Sequence, residues 1–351
     1  MIEIKREGII LKKTENVFEN EGVLNPAVIR EGDNVHMFYR AVSKGNYSSI
    51  GYCCLDGPLT IRHRDKKPVL KPEFEYESHG VEDARIVKID NLYYLTFTAY
   101  DGTNAQGALA VSKDLRSFRR KGIIVPTIAY VEFVKLLESS GQVNARYYKN
   151  HEFYFRRENI DKRVMLWDKN VIFFPRRING KLCFLHRIRP GIQLVMIKDL
   201  KKLTKKYWED YCKNLKKHII MDPCYKHESS YIGGGCPPVE TREGWLIIYH
   251  GVEKTSRGLV YSACASLLDL DDPSKEIARL PYALFSPLNK WEQKGEVNNV
   301  VFPTGTALFG ETLFIYYGAA DEQIACVSVS IQELLRELIK NPMPHDKTKT
   351  K

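Results

Sequence analysis

The sequence predicts an all-β fold, a five-bladed β-propeller with a few short peripheral helices. Three observations lead there. One turn-and-strand unit recurs five times along the 351 residues. In every copy the turn is followed by a strand whose apolar residues alternate, the period-2 signature of a pleated sheet. The 20 Tyr and 15 Phe tilt the composition toward strands. A unit of three or four short strands cannot bury its own faces, so the copies must stack. Radial stacking is the closed solution. A β-sandwich would not need the same unit five times.

In chain order, the first unit is "NPAVIREGDNVHMFYRAVSKGNYSSIGYCCLDG" (25–57), with its turn at Asn34. The second, "GVEDARIVKIDNLYYLTFTAYDG" (80–102), turns at "DN" and sets Glu82, Asp83 and Arg85 at the mouth of an apolar hairpin. A longer spacing before the next turn places an insertion at about 127–169, with a helix-like "YVEFVKLLE". The third unit, "NVIFFPRRINGKLCFLHRIRPGIQLVMIKDL" (170–200), turns at Gly180. Apolar residues three and four apart then predict a helix within 199–217. The fourth unit, "CPPVETREGWLIIYHGVEKTSRGLVYSACASLLDL" (236–270), turns at Gly244, and the fifth, "VFPTGTALFGETLFIYYGAADEQIACVSVS" (301–330), at Gly310. "IQELLRELIK" (331–340) reads as a last helix. Residues 1–340 are expected to form one domain, and 341–351 a disordered basic tail.

Composition narrows the function. Apolar and charged fractions of 44% and 27% are those of a soluble globular protein. No apolar run approaches the roughly 20 residues of a membrane span. The start "MIEIKREGIILKK" lacks the apolar region and cleavage site of a signal peptide, so the expected location is the cytoplasm. None of the eight cysteines forms a CxxC pair and no Cys/His spacing suggests zinc, which leaves buried reduced thiols. Much of the net charge of +10 lies in 201–218 and the C-terminal tail. Those read as a solvated helix face and a loose end without a nucleic-acid motif, so neither nucleic acid nor membrane is an expected partner. A basic surface also suits small anions such as phosphate.

In a propeller the starts of the innermost strands ring a central funnel. Asn25-Pro26, Glu82-Asp83, Lys169-Asn170, "YIGGGCPP" and Asn299 should therefore converge. Acidic propeller funnels suit glycosidic cleavage, in which inversion needs an acid and a nucleophile on opposite faces of the sugar. Asn25 stands where a first-blade base would be and cannot act as one. Asp83 is the acid candidate, with a structural ion pair to Arg85 as the alternative.

At these blocks the chain resembles glycoside hydrolase family 130, the β-mannoside phosphorylases and β-1,2-mannosidases. The blocks are "NPAVI…FYRA", "GVEDARIV…AYDG", "KNVIFFPRRINGK…LHR", "YIGGGCPPVETREGWLIIYHGV", "DLDDPSK", "NNVVFPTG" and "YYGAADEQIA", over roughly residues 20 to 330. The resemblance implies that Asp83 is the general acid, protonating the glycosidic oxygen through a sugar hydroxyl. It also implies a sugar site of Asn25, Arg40, Asp101, His250, Tyr261 and Asp321, with Arg85 beside the acid. Ala84 stands where the family usually has proline.

The same resemblance offers two nucleophiles. Phosphorylases hold inorganic phosphate with cations. The matching positions are Lys169 where arginine is usual, Asn170, Arg187, and Tyr231 where lysine is usual. Losing that lysine removes about 1.5–3 kcal/mol, the worth of one charged hydrogen bond. Hydrolases use a carboxylate to activate water, for which Glu228 in "HESSYIGGG" and Glu296 in "GEVNNVV" are candidates. The lost lysine and added acids tip the expectation to hydrolysis of β-mannosides, β-1,2-linked manno-oligosaccharides above all. Phosphorolysis to mannose 1-phosphate, with inorganic phosphate as co-substrate, is the alternative, and a non-catalytic sugar-binding propeller the remote one. No cofactor or metal is expected, and a homo-oligomer stays open.

Overall fold

The computed structural model describes residues 2–140, 143–148 and 164–344. Part of the insertion and most of the expected basic tail lie outside the described residues. Strand β1 (Lys5–Leu11) pairs far along the chain. Next come β2 (Gly22–Glu31), β3 (Asn34–Ser43), β4 (Tyr47–Asp56) and β5 (Thr60–Arg64), an antiparallel meander. A second meander contains β6 (Gly80–Ile89), β7 (Leu92–Tyr100), β8 (Ala105–Ser112) and β9 (Arg119–Ile123). The third is β10 (Lys169–Phe173), β11 (Leu182–Arg187), β12 (Ile192–Ile197) and β13 (Ile219–Met221).

The fourth unit pairs β14 (Tyr231–Gly234) and the short β15 (Val239–Glu240) with β16 (Trp245–Thr255). It continues through β17 (Gly258–Leu268) to β18 (Glu276–Arg279). The fifth runs β19 (Val301–Phe309), β20 (Thr312–Ala319) and β21 (Gln323–Ser330), and β1 is its outer strand, with Lys5 opposite Ser328. Among the described residues hydrogen bonding yields four sheets rather than five separate ones, and none of them closes on itself. The first two units are joined by a parallel contact between Ser48 and Gly80. Gly80 permits this approach, since a Cβ there would stand 3.0 Å from that of Ser48.

Packing follows the alternation. In β7, Tyr93, Leu95, Phe97 and Ala99 join a cluster with Phe38, Ile50 and Tyr52 of the first unit, whereas Tyr94 turns to Phe173 and Phe184 of the third. In β16, Trp245, Ile247 and Tyr249 meet the third unit, while Leu246 and Ile248 meet the fifth. The fifth unit packs on the first through Tyr316, Cys326, Met37 and Cys53. Five apolar clusters thus fill the five junctions in cyclic order. Each unit is buried on both faces, which explains strands that are apolar almost throughout.

Helix Tyr130–Ser140 falls where the insertion was expected to be helical and packs on helix Lys205–Lys213. Phe133, Leu137, Tyr147, Trp208 and Tyr211 share their core. The described part of the insertion before Lys169 does not line the cavity that the first strands surround. The lysines of 201–218 are mostly exposed around buried Trp208 and Tyr211, as a solvated face requires. Helix Ile331–Ile339 buries Leu334, Leu335 and Leu338 against the fourth and fifth units. Among the described residues no helix is long and apolar enough to cross a membrane. The cysteines are free, and Cys224 is exposed rather than buried.

Candidate active site

Three polar residues share a rare backbone. Asn25, Asp83 and Asn170 have φ of 50°, 48° and 56°, in the left-handed region. Each sits in the first strand of its unit at a register break, between Leu24 and Ala27, Glu82 and Arg85, and Lys169 and Ile172. A bulge leaves a residue unpaired and re-aims its side chain. Asn and Asp accept this conformation more readily than other side-chain-bearing residues. All three line one cavity of about 220 Å³, with Arg40, Lys169, Arg187, Tyr231, Tyr261 and Asp321. The polar residues were expected just ahead of these strands; Asn25 and Asp83 instead lie within them.

One group of contacts surrounds the acid candidate. Asn25 Nδ2 donates to Asp83 Oδ1 at 2.7 Å, and Arg40 Nη1 lies 3.8 Å from the same oxygen. Buried Glu82 accepts from Arg40 Nη2 at 2.8 Å and stands 3.9 Å from Lys169 Nζ, so it holds both cations from behind. Burial alone would push the Asp83 carboxyl up. Arg40, Lys169, the Asn25 amide and Arg85 together outweigh it and hold the group below its ordinary value. Asp321 goes the other way. Burial first, then the Asp83 charge, push it up to about 6. Burial lowers Lys169, although Glu82 and Asp83 oppose the shift.

The second group is cationic and aromatic. Arg187 Nη1 lies 3.4 Å from His250 Nε2. Burial, then Arg187, Arg85 and Arg189, push His250 well below its ordinary value, so the ring is neutral at pH 7. The Tyr231 and Tyr261 hydroxyls are 2.6 Å apart. Arg189, which sequence reasoning missed, lines the cavity and lies 3.9 Å from the Tyr231 ring centroid. Arg189 stands in the turn after β11, two residues beyond Arg187 in "HRIRP", where no strand periodicity could assign it to the site. Val297, Val300 and Phe302 complete the lining.

Five expected site residues do not line the cavity. Arg85 is buried and gives its guanidinium to backbone carbonyls, those of Gly235, Asp83 and Ala84, rather than to the Asp83 carboxylate. The alternative reading of Asp83, a structural ion pair with Arg85, is therefore not the contact formed, and Arg85 is a scaffold residue. Asp101 caps a turn, accepting from the N–H groups of Thr103 and Asn104 at 2.8 and 2.6 Å. His250 is fully buried behind Arg187 and packs on Phe302 at 4.5 Å.

The two proposed water activators are not among the residues that line the cavity. Glu228 is fully buried, bonded to the Tyr249 hydroxyl, Arg279 and the backbone of Cys224. Its local sequence gave no sign of partners 21 and 51 residues away. Glu296 is exposed and lines a neighbouring hollow of about 410 Å³ with Glu21, Asn46 and Gly45. That hollow shares Arg40, Val297 and Asp321 with the central cavity.

The cavity thus brings four cations, Arg40, Lys169, Arg187 and Arg189, against two carboxylates, Asp83 and Asp321. Such a lining can hold an anion beside an acid. A family model described as beta-1,4-mannooligosaccharide phosphorylase, that of glycoside hydrolase family 130, matches residues 3–340. The chain is 32% identical over 348 residues to the 1,2-beta-oligomannan phosphorylase of Thermoanaerobacter sp. (strain X514), covering 95% of this chain and 99% of the relative. It is equally 32% identical, over 345 residues, to a beta-1,2-mannobiose phosphorylase of the same organism, covering 94% and 97%. The solved structure of a beta-1,2-mannobiose phosphorylase from Listeria innocua, in complex with beta-1,2-mannobiose, shares the fold with a TM-score of 0.71. It is 24% identical and covers 96% of this chain and 99% of that one. These relatives are named as phosphorylases, which runs against the hydrolytic expectation. The family match extends through all five units and every side of the cavity, and the chain belongs to glycoside hydrolase family 130, enzymes that act on β-mannosides.

Proposed function

We propose that this enzyme is an inverting phosphorylase of β-1,2-linked manno-oligosaccharides, consuming inorganic phosphate and releasing α-mannose 1-phosphate. The observation that carries the reading is the convergence of Lys169, Arg187 and Arg189 on the cavity that Asp83 lines. A phosphate dianion needs charge-assisted donors, and guanidinium groups match its geometry. The names of the full-length relatives favour the same chemistry and linkage. No carboxylate but Asp83 and Asp321 lines the cavity among the described residues, and Glu228 is committed to Arg279. Neither expected base, Glu228 or Glu296, lines this cavity, which favours phosphate over water as the nucleophile.

In this reading Asp83 gives its proton to the departing glycosidic oxygen, and a phosphate oxygen attacks the anomeric carbon from the opposite face. The C–O bond to the leaving sugar breaks as the C–O bond to phosphate forms, inverting the anomer. Asn25 and Arg40 orient the Asp83 carboxyl. The resting site keeps that carboxyl ionised, largely through Arg40 and Lys169. A dianion beside Lys169 offsets the cationic field and raises the acid's proton affinity when the nucleophile is in place.

The reading includes the architecture: five meanders packed in cyclic order act as propeller blades, with the cavity on their axis. It also places the enzyme in the cytoplasm, where phosphate is abundant and a charged sugar phosphate is retained. The test is to incubate the protein with β-1,2-mannobiose while phosphate is titrated from zero, following anomeric protons by NMR. Phosphate-dependent accumulation of α-mannose 1-phosphate is expected. Full-rate release of mannose without phosphate would restore the hydrolase reading.

A further inference from the structure

We propose that Arg189, stacked on Tyr231, supplies the phosphate-binding charge that Tyr231 itself cannot. The inference rests on the phosphorylase reading and deepens it. Its ground is the geometry around one ring. Tyr231 is 5% exposed, and its hydroxyl is tied to that of Tyr261 at 2.6 Å. The ring stands edge-on to His250 at 6.4 Å and to Tyr261 at 6.2 Å, with interplanar angles of 88° and 80°. A buried ring held at its tip and edges is a fixed platform. The Arg189 guanidinium carbon lies 3.9 Å from its centroid and that of Arg187 lies 5.4 Å away.

A guanidinium stacks well because it is planar and weakly hydrated, and the aromatic face adds electrostatic attraction. An ammonium at position 231 would bring charge into the cavity directly. Here the charge arrives from position 189, and the tyrosine becomes its support. Two guanidinium groups near one ring and one cavity concentrate planar donors where a dianion can be held. The pair should therefore select for phosphate while touching the mannoside little.

Arg189→Ala should raise the KM for phosphate at least about tenfold, the low end for losing one charged hydrogen bond. The KM for β-1,2-mannobiose should stay within about twofold. Arg189→Lys should recover part of the loss, since it keeps charge but not the planar stack. Tyr231→Lys separates this arrangement from a simple missing cation. In the wild-type background it sets a second cation against Arg189 and removes the platform, so phosphate binding should not improve. In the Arg189→Ala background the same change should restore binding.

Binding of inorganic phosphate alone, by calorimetry, gives a readout that does not need turnover. An unchanged phosphate affinity in Arg189→Ala would overturn the inference, as would equal tightening by Tyr231→Lys in both backgrounds. Wild-type protein that cleaves β-1,2-mannobiose without phosphate and does not bind it would instead sink the phosphorylase reading itself.

Discussion

Asp83 and Asp321 line the same cavity, yet their surroundings push them in opposite directions, and stability should report it. Asp321 has an ordinary value of 3.8 and is pushed to about 6 by burial and then by Asp83. Above pH 6 the folded state carries a charge that its site resists. Asp321→Asn should therefore raise the melting temperature by a few degrees at pH 7.5. The advantage should shrink as pH falls below 6 and be gone near pH 4. Asp83 is held below its ordinary value by Arg40 and Lys169 despite burial. Asp83→Asn should therefore lower the melting temperature modestly at neutral pH, a loss that disappears in acid as the wild-type carboxyl is protonated. The same variant should cut turnover at least about a hundredfold, the low end for a general acid. Melting curves from pH 8 into acid well below 3.8 check both signs; an Asp321→Asn shift that stays constant between pH 8 and 4, or an Asp83→Asn loss that persists in strong acid, would show that the carboxyl concerned is not perturbed. At this scale Asn25, Asp83 and Asn170 were legible because Asx residues at matching places in repeated units are conspicuous. Glu228 was misread because its partners Tyr249 and Arg279 are distant in sequence. Tyr231 was counted as a lost charge because nothing local pointed to Arg189 as its neighbour.

The elements were legible where the signal is local. Alternating apolar residues marked the second strand of every unit, and the helices at 130–140, 205–213 and 331–339 follow their apolar spacing. The bulges that aim the site residues were not, because a two-against-one pairing depends on the partner strand. The glycine run "GGG" is the intermediate case: visible, but with its reason hidden until the units are packed. In β14, a Cβ on Gly233 would stand 2.6 Å from the His250 ring and 2.8 Å from Arg187 Cδ. Gly233 therefore keeps the slot in which neutral His250 supports Arg187. Gly233→Ala should displace the Arg187 guanidinium and weaken phosphate binding about tenfold, with far-ultraviolet dichroism unchanged. Wild-type phosphate affinity in a folded Gly233→Ala protein would show that Arg187 does not depend on this packing.

At the scale of the whole molecule, five repeats announced five packed units, but not how the ring of contacts is completed. The fifth unit has three strands of its own, and its fourth is β1, with Arg6 opposite Val327 and Ile9 opposite Ala325. Nothing in "KREGIIL" reveals a partner more than 300 residues away, because local propensity carries no information about non-local pairing. The consequence is mechanical. β1 covers the edge of β21, and Leu11 joins the cluster between the fifth and first units with Val23 and Met37. Arg6 also ties β1 to Glu292 and to the carbonyl of Ser286. Buried Glu292 in turn accepts from the Tyr317 hydroxyl at 2.6 Å, so the anchor reaches the core of the fifth unit. Removing residues 2–12 would expose the long β21 edge, a template for pairing with other chains. The truncated protein should melt at least several degrees lower and show concentration-dependent association in sedimentation. Arg6→Ala alone should reproduce a small part of the loss. A truncated protein that melts with the full chain and stays monodisperse to the same degree would show that the fifth unit needs no outer strand.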